Sequence, residues 1–305
     1  MLAYVTPVFL IIALGVAVKR MRNTPPTLFP SLEWLTFYVA FPALLFLRTA
    51  QLQMDAATLK ALATLVIGPV LLMLLLALLL LRWGLRALPA PARSSVVQGT
   101  TRPSTYFGLA VAGLVFPPEI SALVMLALAI AMPPVNVIAV VALAWWSGQR
   151  VTARTIARNL ARNPIILATL AGTLTNLSGV PLPAFLANAL EILGGVALGL
   201  GLLCVGGGLV FQLQGAYPLT VILTDALKLL GLPSLTWLLC RWLAVSDDMT
   251  IAACFFAALP TAPNAYIMAR QLGGDARLMA SLITTQTLLS MVTVPLWLMV
   301  LGVSR

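Results

Sequence analysis

The chain has 305 residues, 61% of them hydrophobic and only 9% charged, with no histidine and a formal net charge of +10. A soluble domain carries about 25% charged residues, so this composition excludes a soluble core and requires a bilayer. The lack of His and the few carboxylates exclude a zinc or di-iron centre, and basic residues confined to short loops between apolar runs exclude nucleic acid as a partner.

Taken in order, ten apolar segments are long enough to read as membrane spans of roughly 20 residues: 2–18, 32–49, 59–82, 95–116, 120–146, 164–178, 186–210, 218–243, 249–271 and 277–301. The first is not a secretory signal. Its basic residues Lys19, Arg20 and Arg22 follow the apolar run instead of preceding it, so it reads as a retained helix with its N-terminus outside. Turn-like or charged separators divide the rest, among them Asn23-Thr24-Pro25-Pro26, Leu88-Pro89-Ala90-Pro91, Phe116-Pro117-Pro118-Glu119 and Ser246-Asp247-Asp248. Cys204, Cys240 and Cys254 each sit in an apolar run without metal-ligand spacing and read as small buried hydrophobes. No phosphate-binding glycine loop is present. No metal, cofactor or catalytic residue is expected, and the chain is not expected to be an enzyme.

With the N-terminus outside, inside loops hold twelve Lys and Arg against four outside. This bias places both termini outside. The loop from Arg150 to Arg162 has Arg every four residues and reads as an amphipathic helix on the anionic inner leaflet. Three units follow: a first half at 1–148, a basic linker helix at 149–163 and a second half at 164–305. Five spans followed by five puts the halves in opposite orientations, an inverted repeat.

The halves share one clear feature. Pro103-Ser104-Thr105-Tyr106 and Pro263-Asn264-Ala265-Tyr266 each place a small polar residue and a Tyr after a Pro, 160 residues apart, in the fourth and ninth segments. Proline removes a backbone donor and disfavours helix in the residue before it. Broken backbone at membrane depth is tolerated only inside protein or against a wet cavity, and paired breaks point to a transporter's binding site. Half-helix N-termini there suit an anion. Arg102, Pro103, Ser104, Thr105, Tyr106, Thr261, Pro263 and Asn264 are the expected substrate residues. Arg102 either supplies positive charge to the site or snorkels to the inner face. Asp225 and Lys228, three apart, are expected to pair on one helix face, as a brace or a coupling site. Asn136 and Gln286 are expected to complete a pocket wall or to hydrogen-bond between helices. The glycines from Gly194 to Gly208 are expected to permit close packing or sliding.

Several stretches together resemble the bacterial branch of the auxin efflux carrier (PIN-like) family of membrane transporters: Phe41-Pro42-Ala43-Leu44-Leu45, Tyr106-Phe107-Gly108-Leu109-Ala110, Asn163-Pro164-Ile165-Ile166-Leu167-Ala168, Leu227-Lys228-Leu229, Ala258-Leu259-Pro260-Thr261-Ala262 and Thr293-Val294-Pro295. The resemblance implies an all-α integral membrane fold of ten helices as a 5+5 inverted repeat, with broken, crossing fourth and ninth helices as in bile-acid symporters and NhaA-type antiporters. It also implies elevator-type alternation and homodimers among relatives. Its members carry auxin-like acids, malonate, malate and related organic anions. Family members often have Asn where Ser104 stands and Gly-Leu-Pro where this chain has Gly108-Leu109-Ala110, so substrate preference does not carry over. The expected function is a secondary carrier, of the exporter kind, for small mono- or dicarboxylates in a bacterial inner (plasma) membrane. The alternatives are a sodium- or proton-coupled organic-acid symporter, a channel or a membrane sensor.

Overall fold

The computed structural model describes residues 2–51, 56–147, 161–209 and 217–303. The basic linker expected at 149–163, with Arg150, Arg154 and Arg158, lies largely outside the described residues. The described residues form helices and connecting turns, with no strand among them. In chain order these are α1 (Leu2–Arg20), α2 (Leu28–Leu35), α3 (Phe41–Gln51), α4 (Ala56–Trp83), α5 (Ala90–Thr101), α6 (Thr105–Val115) and α7 (Pro118–Ser147), then α8 (Pro164–Ser178), α9 (Ala184–Gly208), α10 (Pro218–Ala226), α11 (Leu232–Leu243), α12 (Asp247–Ala258), α13 (Asn264–Gln271) and α14 (Ala276–Val300). Ten spans were expected. Six continuous helical stretches among the described residues are long and apolar enough to cross a membrane: 28–51, 57–83, 118–147, 184–208, 218–243 and 276–300. The fourth and ninth segments are each divided, into pieces of 12 and 11 residues and of 12 and 8 residues. No piece alone spans a hydrocarbon core about 30 Å thick.

Local sequence explains where helices start and where they change pitch. Asn163 caps α8, its side-chain oxygen accepting from Ile165 N at 3.0 Å, with Pro164 in the first turn. Ser246 caps α12, and Asp247 and Asp248 complement its N-terminal dipole. Asp275 caps α14 by accepting from Leu278 N at 2.9 Å, and its own carbonyl accepts from Ser95 Oγ on α5. Two π-helical turns, Thr36–Ala40 and Leu227–Gly231, join α2 to α3 and α10 to α11. Each ends two residues before a proline: Phe41 N donates to Thr36 O ahead of Pro42, and Leu232 N to Leu227 O ahead of Pro233. A proline ring cannot donate to the carbonyl four residues back and collides with it; a wider turn makes room. Pro233 thereby strands the Leu229 carbonyl, which accepts instead from the Trp297 indole at 3.0 Å.

Packing divides the helices into two groups. In one, α1 lies along α9 and α8 lies along α3. In the other, α4, α7, α10, α11 and α14 pack around α5 and α12, the first pieces of the divided segments, and α6 reaches back to α9. The pieces that lead into the breaks are buried nearly all round: Val96 to Thr101 on α5 and Ile251 to Ala258 on α12 are at most 9% exposed. That is the condition under which a membrane tolerates irregular backbone. The outer faces are apolar, with Trp145, Trp242 and Phe185 more than three-quarters exposed, as acyl chains require.

The contact of α1 with α9 is a backbone approach. A Cβ on Gly206 would overlap the Ile12 carbonyl, and one on Gly15 would overlap that of Leu203. Such small-residue contacts hold membrane helices together by close packing. Just beyond, Lys19 Nζ donates to the Gly207 carbonyl near the end of α9. Gly206→Ala should therefore cost about 1–3 kcal/mol through overpacking and lower the melting temperature in detergent. Gly199→Ala, whose Cβ would meet nothing within 4 Å, should leave it unchanged.

Candidate functional site

The two breaks meet. Ser104 N donates to the Pro260 carbonyl at 2.7 Å, joining the first interruption, residues 102–104, to the second, residues 259–263. Behind this contact Thr261 Oγ1 donates to the Gly99 carbonyl at 3.0 Å. Gln286 on α14 ties both segments with one amide: its Oε1 accepts from Thr261 N at 3.0 Å, and its Nε2 donates to Gly99 O at 3.1 Å. Proline and broken helix leave these backbone groups without helical partners, and Gln286 supplies them. A glycine at 99 lets the chains approach: a Cβ there would meet Leu282 and Thr224 side chains at 2.9 Å.

From this junction α6 starts at Thr105 and α13 at Asn264, so two helix N-termini, each with unbonded N–H groups and a positive dipole end, point into one region. Two small cavities lie there, each about 20 Å³, room for about one water. The first touches Arg102, Pro103, Thr105, Asn136, Ala262 and Asn264. The second touches Phe37, Ser104, Tyr106 and Pro263. Thr105, Met132, Ala262 and Asn264 border both.

Of the residues expected from sequence, Arg102, Pro103, Ser104, Thr105, Tyr106, Pro263, Asn264 and Asn136 are thus brought together. Thr261 and Gln286 are not at the cavities; they hold the crossing from behind. Arg102 has extended backbone (φ −89°, ψ 117°), and its side chain is 7% exposed; the guanidinium does not snorkel out. It donates to the Met268 thioether, a weak acceptor. The single ion pair among the described residues is Arg48 with Glu191 at 2.8 Å, so no carboxylate balances Arg102 there. The Ser104 hydroxyl is buried and has no hydrogen-bond partner among the described residues. Tyr106 stacks on Phe41 with ring centroids 5.2 Å apart. Matched motifs do not give matched exposure: Ser104 is buried while Asn264, at the same place after its Pro, is exposed.

One expectation is corrected. Asp225 and Lys228 do not pair. Lys228 is fully buried with its Nζ unpartnered, and one Asp225 oxygen is unpartnered as well, among the described residues. The spacing rule for residues three apart holds in an α-helix, but the π turn opens at Leu227, between them. The wider turn rotates Lys228 off the face that carries Asp225. Asp225 instead faces Thr285 and Gln286 on α14.

Sequence reasoning missed Phe37, Met132 and Val135 as lining residues and Met268 and Gly99 as partners. Met132 and Val135 flank Pro133-Pro134, and that pair was the only local signal for them. A much larger recess, about 580 Å³, lies elsewhere, where α3, α4, α7 and α12 begin or end. Glu119 and Asp248 line it, and Arg48 there is already paired with Glu191. Its charge disfavours an anion.

Among the curated proteins, none matches the chain. Residues 147–298, from the end of α7 through most of α14, match the model of a family described as Membrane transport protein. That stretch contains the second break, Asp225 and Gln286, whereas Arg102 and the first break precede it. With six helical stretches among the described residues able to cross a bilayer and this similarity over its second half, the chain is a multi-pass membrane protein similar to the membrane transport family.

Proposed function

We propose that the chain is a secondary carrier for small organic anions, with its substrate site where the two breaks meet. The observation that carries this reading is the buried, unbalanced Arg102 beside the unpartnered Ser104 hydroxyl. A buried cation without a counter-charge costs several kcal/mol, and a carboxylate between Arg102 and the N-termini of α6 and α13 would remove that cost. Ser104, Thr105 and Asn264 would donate hydrogen bonds to it, and Asn136 would close the wall beside Arg102.

The pairing of α1 with α9 and of α8 with α3 supports two five-span halves of opposite orientation, since the first span of each half packs on the second span of the other. In this reading both termini lie outside a bacterial inner membrane. The group around α1, α3, α8 and α9 is the fixed frame, possible homodimer contacts included, and the group around the crossing moves against it in an elevator-like cycle. Gly201 and Gly208 on α9, which face Tyr106 and Pro263, give that movement a smooth track. Cavities of one water each belong to a closed stage of the cycle, which must widen to admit a dicarboxylate.

Currents from proteoliposomes on a solid-supported membrane test the proposal. Malonate, malate, other small carboxylates and indole-3-acetate would be applied with and without sodium or a proton gradient. A saturating current, or saturating labelled uptake where exchange is electroneutral, is the expected result. Silence in both for every acid would overturn the organic-anion reading, and strict sodium dependence would favour the sodium-coupled symporter.

A further inference from the structure

We propose that Asp225 is the proton-binding group that couples this carrier to a proton gradient, acting on the crossing through Gln286. The inference rests on the carrier reading above. Asp225 is 5% exposed on α10. It faces Thr285 and Gln286, and one of its oxygens is unpartnered among the described residues. The charged residues on the elements packed against α10 are Lys228 on the π turn, Arg93 and Arg102 on and just after α5, and Arg277 on α14. Arg93 is engaged by the Leu88 and Arg86 carbonyls, Arg102 by Met268. Arg277 is exposed, two turns from Thr285. None is ion-paired with Asp225.

The hydrogen bonds around Asp225 distinguish its two protonation states. Thr285 has one hydroxyl proton, and it is directed at the Ser281 carbonyl at 3.0 Å. While that proton stays on the helix the Thr285 oxygen can accept from a protonated Asp225, and when it turns to Asp225 it can donate to the carboxylate. An ionised carboxylate accepts only. It draws the Thr285 proton off the helix and takes the second Nε2–H of Gln286, beside the one that bonds Gly99. That bond is one of the contacts holding the first break to the second. Proton binding and the geometry of the substrate site thus share one side chain. A sodium ion is the poorer fit: a hard cation takes about six oxygens, while the Gln286 oxygen is already committed to Thr261 N.

Asp225→Asn keeps shape and removes titration. The test compares wild type and variant in proteoliposomes containing a pH-sensitive dye. Labelled malonate would be followed in two modes: accumulation driven by a proton gradient, and exchange at equal pH. Wild type should move protons with malonate. The variant should lose gradient-driven accumulation on the order of tenfold and keep exchange. Accumulation retained by the variant, or driven by sodium but not protons in wild type, overturns the proposal. Absence of any malonate or other acid flux in wild type strikes the carrier reading itself. Where the variant exchanges poorly too, malonate-induced thermal stabilisation decides, measured over the pH range in which malonate stays a dianion. It should depend on pH in wild type and be flat in Asp225→Asn; equal pH dependence in both overturns the assignment.

Discussion

Arg102→Gln should weaken binding of the transported acid by about 10- to 100-fold, the loss of one charge-assisted hydrogen-bond pair worth about 1.5–3 kcal/mol, while the empty protein melts at the same temperature or higher. The two effects have opposite signs for one reason. Without substrate, the guanidinium is buried at 7% exposure against a thioether, an arrangement that costs stability. With substrate, it is the counter-charge. A neutral amide of similar reach removes both the cost and the benefit. Binding is read by titration calorimetry and stability by thermal unfolding in detergent. A folded variant with unchanged affinity would remove Arg102 from the site, and a lower melting temperature with unchanged affinity would make it a structural residue.

Gln286→Leu should be the most damaging single change at the crossing. It strands the Thr261 N–H in a fully buried place and takes one donor from Gly99 O. An unsatisfied buried group costs about 1–3 kcal/mol, and here it lies where no helical partner is available. The variant should melt several degrees lower and lose transport of every acid alike, because it disturbs the frame of the site and not its contacts. Gln286→Glu keeps the acceptor for Thr261 N but cannot donate to Gly99, and it sets a second carboxyl against Asp225; it should fail as well. Wild-type flux in folded Gln286→Leu would show that the Ser104–Pro260 and Thr261–Gly99 bonds suffice without it.

What the sequence revealed follows the range of the physics involved. The breaks at Pro103 and at Pro260 and Pro263 were legible because proline acts on its own residue and its neighbour. Their meeting was legible because two matched proline motifs 160 residues apart in one chain have little reason to exist apart. The Asp225–Lys228 pairing failed because Pro233, five residues beyond Lys228, imposes a π turn that starts between the two. The pattern for that turn was present, as the same device precedes Pro42, but its effect on helix face is not visible in residue spacing. Gln286 was expected either as pocket wall or as a hydrogen bond between helices, and it proves to be the second. Its partners, Gly99 and Thr261, lie 187 and 25 residues away, and only tertiary structure brings them within 3.1 Å. The unequal exposure of Ser104 and Asn264 is likewise tertiary, since their motifs match.

The central claim is that the crossing is the site of an alternating-access carrier for a small organic anion. Counterflow tests it most directly: wild-type proteoliposomes are loaded with unlabelled acid, and uptake of the labelled acid is followed. The account predicts saturable uptake that speeds up when the same acid is present on the far side, because the loaded site returns faster than the empty, charge-unbalanced one. Uptake that rises linearly with concentration and ignores the acid on the far side would contradict it and leave a channel.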